Sequence, residues 1–522
     1  MSRRQSTLLS LIAALVIGSG PATSQTPLPE APSGFDDNSI EPNQMQHDMD
    51  RGTFDEVDER PTGIPAQDKK RGLGPIYNAQ SCRECHQNPV SGAGSQITET
   101  RVGHVHNGVF QNPSVPIVGD VIKGRTLIND RAICVQAQEH IPPNNEVRTK
   151  RLSLSIFGDG FIESIPDNAI LAVRNSQCNT TTPKPAGTAA ICGIAQFVDI
   201  LEHKGVNNQR LGRFGWKNQH ASLLSFAADA YLNEIGITNR LLPPTPPSTS
   251  YEITTVCNPQ GVMEPNDTPD DDITAFARFM RATKTPPRLI QDQAAVTRGA
   301  ALFRRVGCAA CHVESFETAS PGSKLVDAGN DSFIVTDALG SKTIHPFSDF
   351  LLHDIGTGDG IALAIPEHYG HEVAQRSVAV DIAKLHPLLN EASRNALMAG
   401  GALQEHTHPS SSVNALDADT AHDPVALREL RYHDACAPRE LAKINTPQES
   451  ALAFVVQCAT HRLRTPPLWG IHQRNRYMHD GEMLRIEEAI AKHRGEATGV
   501  TTNFNNLSLN QKQDLVAFVG SL

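Results

Sequence analysis

Cys82-Arg83-Glu84-Cys85-His86 and Cys308-Ala309-Ala310-Cys311-His312 are the two stretches on which the reading of this 522-residue chain turns. Each is a Cys-x-x-Cys-His run. The paired thiols can add across the vinyl groups of a haem, and the adjacent histidine then meets one face of the iron. Two cysteines and a histidine are also zinc-ligand types, so a zinc-thiolate protein is the alternative reading of a single run. Two copies favour haem attachment. They predict two covalently bound haem c groups held by Cys82, Cys85, Cys308 and Cys311, with His86 and His312 as iron ligands.

Upstream of the first run, Arg3 and Arg4 precede an apolar stretch over residues 8–17, and Ala22-Thr23-Ser24 offers a cleavage site. The stretch is too short to span a bilayer and reads as a signal peptide over residues 1–24. No later stretch is apolar for long enough to span one, so no transmembrane segment is predicted. The mature chain is therefore expected to be periplasmic or secreted, where disulfides persist. Ten cysteines less the four of the two motifs leave Cys134, Cys178, Cys192, Cys257, Cys436 and Cys458. Six cysteines allow 15 pairings. Cys178–Cys192 and Cys436–Cys458 are the local pairs predicted, with buried free thiols as the alternative.

Composition is that of a globular protein, with 39% hydrophobic and 20% charged residues. The net charge of −11 argues against nucleic acid as a partner and is compatible with a basic redox protein. Residues 25–70, rich in Pro, Asp, Glu and Gln, read as an extended arm. The run Pro243-Pro244-Thr245-Pro246-Pro247 marks a linker over residues 241–270. It separates an N-terminal haem unit (residues 71–240) from a C-terminal one (residues 271–522). Helical spacing of Ile273, Phe276, Phe279 and Met280, a helix over residues 219–235 stopped at Gly236, and a Ser508/Gln511 capping box point to a mainly α chain. Strand signals are weak and short. The expected fold is two cytochrome c-like haem domains joined by the Pro-rich linker, with loop-rich insertions.

Further segments carry a family resemblance. Arg464-Thr465-Pro466-Pro467-Leu468-Trp469-Gly470 leads to Tyr477-Met478-His479-Asp480-Gly481 and Ile486-Glu487-Glu488-Ala489-Ile490. Gly212-Arg213-Phe214-Gly215-Trp216-Lys217 and Leu352-His353-Asp354-Ile355-Gly356 lie between the motifs and this end. In this order the segments resemble the di-haem oxidoreductase family, which is similar to the bacterial di-haem cytochrome c peroxidases and to MauG. The resemblance runs over most of the chain from about residue 71.

The resemblance implies roles. Relatives ligate the second haem with a methionine fourteen residues after the histidine that corresponds to His479; here that position is His493. His312 and His493 are thus expected to hold the second iron, at a lower potential than a His/Met pair. A solvent-facing histidine is the alternative, and Met483 is a rival ligand. His104, on the loop read over residues 97–108, corresponds to a removable distal ligand of the first haem; a surface histidine is the alternative. Glu163 is the candidate acid–base group, an ordinary helix-cap or salt-bridge glutamate being the plain alternative. Trp216 is the candidate inter-haem tryptophan, or else a packed aromatic. Relatives also carry an inter-haem calcium, although Arg476 stands where they have proline.

Three functional classes follow. The first is a peroxidase that reduces hydrogen peroxide at the N-terminal haem. Its electrons come from a small redox protein, a cytochrome or a copper protein, and pass through the C-terminal haem. The second is a pure electron carrier with both irons closed. The third is a MauG-like oxidant of a protein or organic substrate.

Overall fold

The computed structural model describes residues 27–58, 73–106, 109–117, 120–123, 125–179, 181–203, 209–243, 271–361 and 460–522. The signal-peptide residues, residues 244–270 of the expected linker, and Cys257, Cys436 and Cys458 lie outside them.

The architecture corrects the expectation of a mainly α chain. Helix accounts for 34% and strand for 16% of the well-placed residues, and the strands form several small sheets. The largest sheet is built on β1 (Thr98–His106). It pairs antiparallel with β2 (Val109–Gln111), β3 (Leu127–Ile128) and β4 (Val147–Leu152), in registers such as Arg101↔Thr149 and His104↔Gln111. This is the segment read as a loop. Its alternation was hard to see because the cavity-facing positions are the charged Glu99 and Arg101, which pair with one another. Val102, on the other face, is fully buried. A charged inward face hides the period-two signal of a strand.

Helices supply the rest of the frame. Residues 25–70, expected to be extended, contain α1 (Gln44–Asp55), which buries His47, Asp50 and Phe54. Asp50 pairs with Arg278 and Phe54 packs on Phe276 and Phe279, so the polar composition conceals a helix with one docking stripe. The first motif forms a single turn, α2 (Cys82–Cys85), capped by Ser81. Beyond the sheet come α3 (Asp159–Glu163), α4 (Asp167–Cys178) and α5 (Leu223–Ile235). Gly236 ends α5 at φ 78°, a left-handed conformation that glycine adopts without strain. A disulfide joins Cys178 and Cys192, as predicted.

In the C-terminal part, α6 (Asp272–Ala282) and α7 (Gln293–Val306) precede the second motif. A two-strand ladder joins β5 (Leu352–Asp354) to β6 (Arg462–Arg464). Then follow α8 (Ile486–Lys492), α9 (Thr498–Asn505) and α10 (Leu509–Val519), the last with the expected capping box. One large core runs from Phe54 through α5 and α6 to Phe350 and Trp469. A second core, from Phe303 to Phe518, sits behind the second motif. Among the described residues no helix is long and apolar enough to cross a membrane.

Candidate functional site: two motif-lined cavities

Each Cys-x-x-Cys-His run opens on its own cavity. The four motif cysteines are free thiols. Cys134, Cys178 and Cys192, the other cysteines described, are disulfide-bonded. This division suits motif thiols reserved for another bond.

The second cavity holds about 1350 Å³ of empty space, part of it open to solvent. Cys308, Cys311, His312 and His493 all line it. Gly307, at φ 107°, closes α7 and turns the chain into the motif. His493 sits where α8 ends. The backbone fixes both imidazoles: His312 Nδ1 lies 2.9 Å from the Phe347 carbonyl and His493 Nδ1 2.8 Å from that of Ala489. An Nδ1–H donated to a carbonyl puts the lone pair on Nε2, the tautomer a metal needs. Burial pushes His312 down to about 4 and lowers His493 as well, so both rings stay neutral. The paired expectation for His312 and His493 thus meets a cavity that contains both.

The first cavity, about 1750 Å³ including its open part, is lined by Cys82, Cys85 and His86. Phe54 of α1 packs edge-on against His86, with ring centroids 6.2 Å apart. Burial pushes His86 down to about 4. Both cavities therefore offer two thiols and a neutral imidazole, which is the donor set a covalently attached haem requires.

Two expected residues are not brought to the first cavity. Glu163 is fully buried but does not line it. Its oxygens accept from Arg281 at 2.7 and 2.9 Å and from the Leu223 amide at 2.9 Å. Leu223 is the first residue of α5, so Glu163 caps that helix and pairs with α6; the plain alternative is the observed one. His104 lies on the opposite parity of β1 from Glu99 and Arg101, and does not line the cavity either. Glu146, which accepts the Val105 amide, is its charged neighbour.

The acids that do line the first cavity are Glu99, Asp130, Asp159, Asp229 and Glu234. Arg101 grips Glu99 through Nε and Nη2 at 2.8 and 3.0 Å. Burial works against the Glu99 carboxylate, but Arg101 outweighs it and holds Glu99 below the usual range. Glu234 shares a hydrogen bond with Glu99 and accepts from Asn78 Nδ2 at 2.8 Å. Burial and the Glu99 charge push Glu234 up to about 8, so the proton of the pair resides on Glu234. Sequence reading missed it. The available signal was its place at the end of α5, two residues before the Gly236 stop.

Trp216 lines both cavities. Its Nε1 donates to the Leu152 carbonyl at 2.8 Å, and the Leu152 amide donates to the His479 carbonyl at 2.6 Å. The His479 ring stands edge-on to Trp216 at 6.2 Å. The turn that carries His479 thus ties the two cavities together, with Met478 at φ 68°.

Among the described residues, Cys311, Asp349 and His353 are the group with metal-ligand spacing. His353 Nε2 lies 2.9 Å from Asp349 and Nδ1 2.9 Å from Glu496. With both ring nitrogens donating, no lone pair is left for a metal, and the group is an ion network. A calcium ion takes oxygen ligands, which this group does not supply in number.

No curated protein sequence matches the chain significantly. Hydrazine synthase of Kuenenia stuttgartiensis is 13% identical over 99% of this chain and all of its own, with a TM-score of 0.31. The diheme peroxidase BthA of Burkholderia thailandensis is 13% identical over 95% of each chain, also at 0.31. Residues 140–372, which contain the second motif and Trp216, match the family described as "Di-haem oxidoreductase, putative peroxidase", and over that stretch the chain carries the sequence pattern of the di-haem oxidoreductases.

Proposed function

We propose that this chain is an exported di-haem c-type oxidoreductase that reduces hydrogen peroxide to water in the first cavity. Electrons enter from a small redox protein through the second cavity. Cys82, Cys85 and His86 would hold one haem; Cys308, Cys311, His312 and His493 would hold the other. The haems, when bound, supply the redox chemistry. The reaction consumes two electrons and two protons per peroxide and releases two waters.

The observation that carries the reading is the Glu99–Glu234 pair in the lining of the cavity that also contains His86. Peroxide cleavage needs a proton moved from one oxygen to the other, and then further protons for the waters. A buried acid that keeps its proton near neutral pH and shares it with a second carboxylate can do both. Arg101 keeps Glu99 charged, and so ready to take the proton back. Trp216, bordering both cavities, is the candidate route for electrons between them.

Glu234→Gln removes the ionisable proton while preserving shape. Single-turnover mixing of the fully reduced protein with peroxide should show a loss of about 10²–10⁴-fold in rate, with two haems still bound by pyridine haemochrome assay. Turnover of the unmutated protein should fall as pH rises past about 8, where the pair loses its shared proton. In Glu99→Gln that alkaline limb should move to lower pH, because the neighbouring charge that raises Glu234 is gone. A Glu234→Gln protein with full peroxide rate would remove the pair from the mechanism.

A further inference from the structure

Two cations sit between the cavities without anions to match. Arg464 and Arg474 line both cavities. Arg464, at the end of β6, is 4% exposed and spends Nε on the Gly215 carbonyl at 2.8 Å. Arg474 follows Trp469 and Gly470 on the same segment. Among the described residues no carboxylate forms an ion pair with either guanidinium. Asp159 is the acid that acts on Arg464, through space, and Arg474 feels the Tyr477 phenol. The two arginines also repel one another.

This is a costly arrangement as it stands. A buried charge without a counter-ion is strongly destabilising, which applies in full to Arg464 and in part to the half-buried Arg474. Burial pushes both guanidiniums down to about 10. One carboxyl group against two cations leaves net positive charge, and burial pushes Asp159 itself up to about 7 against the pull of Arg464. By contrast, the buried Arg210 and Arg213 and the half-buried Arg101 and Arg281 each meet a carboxylate. The unmatched charge of Arg464 and Arg474 therefore suits an anionic group at the wall shared by both cavities. A planar guanidinium fork selects carboxylates. Haem brings propionate carboxylates of its own.

We propose that Arg464 and Arg474 form one cationic bridge that takes haem propionates from both cavities. The proposal rests on the di-haem reading and adds the groups that seat the haem edges opposite the cysteines. A cation beside a haem favours the reduced, electron-bearing form. One bridge serving two haems therefore sets both potentials together, and removing either cation should move both.

The test is made on the haem-loaded protein and compares Arg464→Gln, Arg474→Gln, Arg464→Lys and Arg474→Lys with the unmutated chain. The exposed Arg298→Gln serves as control. Haem content is read by pyridine haemochrome assay, potentials by spectroelectrochemistry, and propionate modes by resonance Raman. Each Gln variant should shift the reduction equilibrium of both haems three- to tenfold toward the oxidised form, tenfold being about 59 mV for one electron. Propionate modes of both haems should move, the Lys variants should recover part of the shift, and the control should show none. Potentials and modes unchanged in both Gln variants, or a shift confined to one haem, would overturn the bridge. Fewer than two haems in the unmutated protein would overturn the di-haem reading itself, and the bridge with it. If Arg464→Gln fails to fold, the less buried Arg474→Gln carries the same comparison.

Discussion

Among the described residues, five carboxyl groups and a single histidine line the first cavity, whereas four histidines and no carboxyl group line the second. The thiols are the same in both, so the difference lies in what surrounds them. Around the first, β1 and α5 bring Glu99, Arg101 and Glu234 to the wall. Around the second, α8, α9 and α10 bring Ile490, Val500, Leu515 and Val519, and His493 at a helix end. A wall of acids manages protons. A lining with apolar helix faces and two neutral imidazoles, each oriented by a backbone carbonyl, would suit the holding of a haem iron. On the proposed function, one motif would serve two tasks, and the elements packed behind it would decide which.

The largest expected effect comes from erasing that difference at the second cavity. His493→Gly should open the iron held by His312 and convert its ferric signal from low-spin to high-spin in electron paramagnetic resonance. Added imidazole should restore the low-spin signal. Two haems should remain attached through the cysteines. An unchanged low-spin signal would hand the ligand position to another side chain and weaken the contrast between the cavities.

Glu163 breaks the comparison in a different way, because it is a buried acid near the first cavity that belongs to the scaffold. Glu163→Gln removes the charge that Arg281 and the start of α5 rely on. Breaking a buried pair on one side costs on the order of 3 kcal/mol. The denaturation midpoint should fall accordingly, while peroxide turnover per folded, haem-loaded molecule stays within about twofold of the unmutated value, a rate change worth less than 1 kcal/mol. A large loss of turnover without loss of stability would return Glu163 to the chemistry.

The motifs and the last helix were readable because their signals are local. Two Cys-x-x-Cys-His runs, the Ser508/Gln511 cap, the Gly236 stop and the Cys178–Cys192 pair each need only a few neighbouring residues. The family resemblance also pointed to His493, which lines the second cavity with His312. What escaped was whatever depended on partners far away in the chain. The strand at Thr98–His106 exists because Val147–Leu152 pairs with it, and its cavity face is charged. Helix α1 is polar over most of its surface and forms because Arg278 and Phe279 meet it from more than two hundred residues on. Glu163 and Glu234 are both glutamates beside helix ends. Only packing tells that the first caps α5 from outside while the second projects from α5 into the cavity. His104 was misplaced for the simplest reason, since a strand puts alternate residues on opposite faces.

The smallest effect expected concerns the wall the cavities share. Trp216→Phe keeps an aromatic ring edge-on to His479 but removes the Nε1–H that the Leu152 carbonyl accepts. A buried carbonyl left without its donor costs about 1–3 kcal/mol, so some loss of stability is expected on packing grounds alone. An electron route through the indole predicts more. After flash reduction of one haem, equilibration between the two should slow by about tenfold, a barrier increase of about 1.4 kcal/mol, with both potentials in place. Lost stability with unchanged equilibration would make Trp216 a packed aromatic at the boundary. Slowed equilibration would make it the link between a cavity built for protons and one built for electrons.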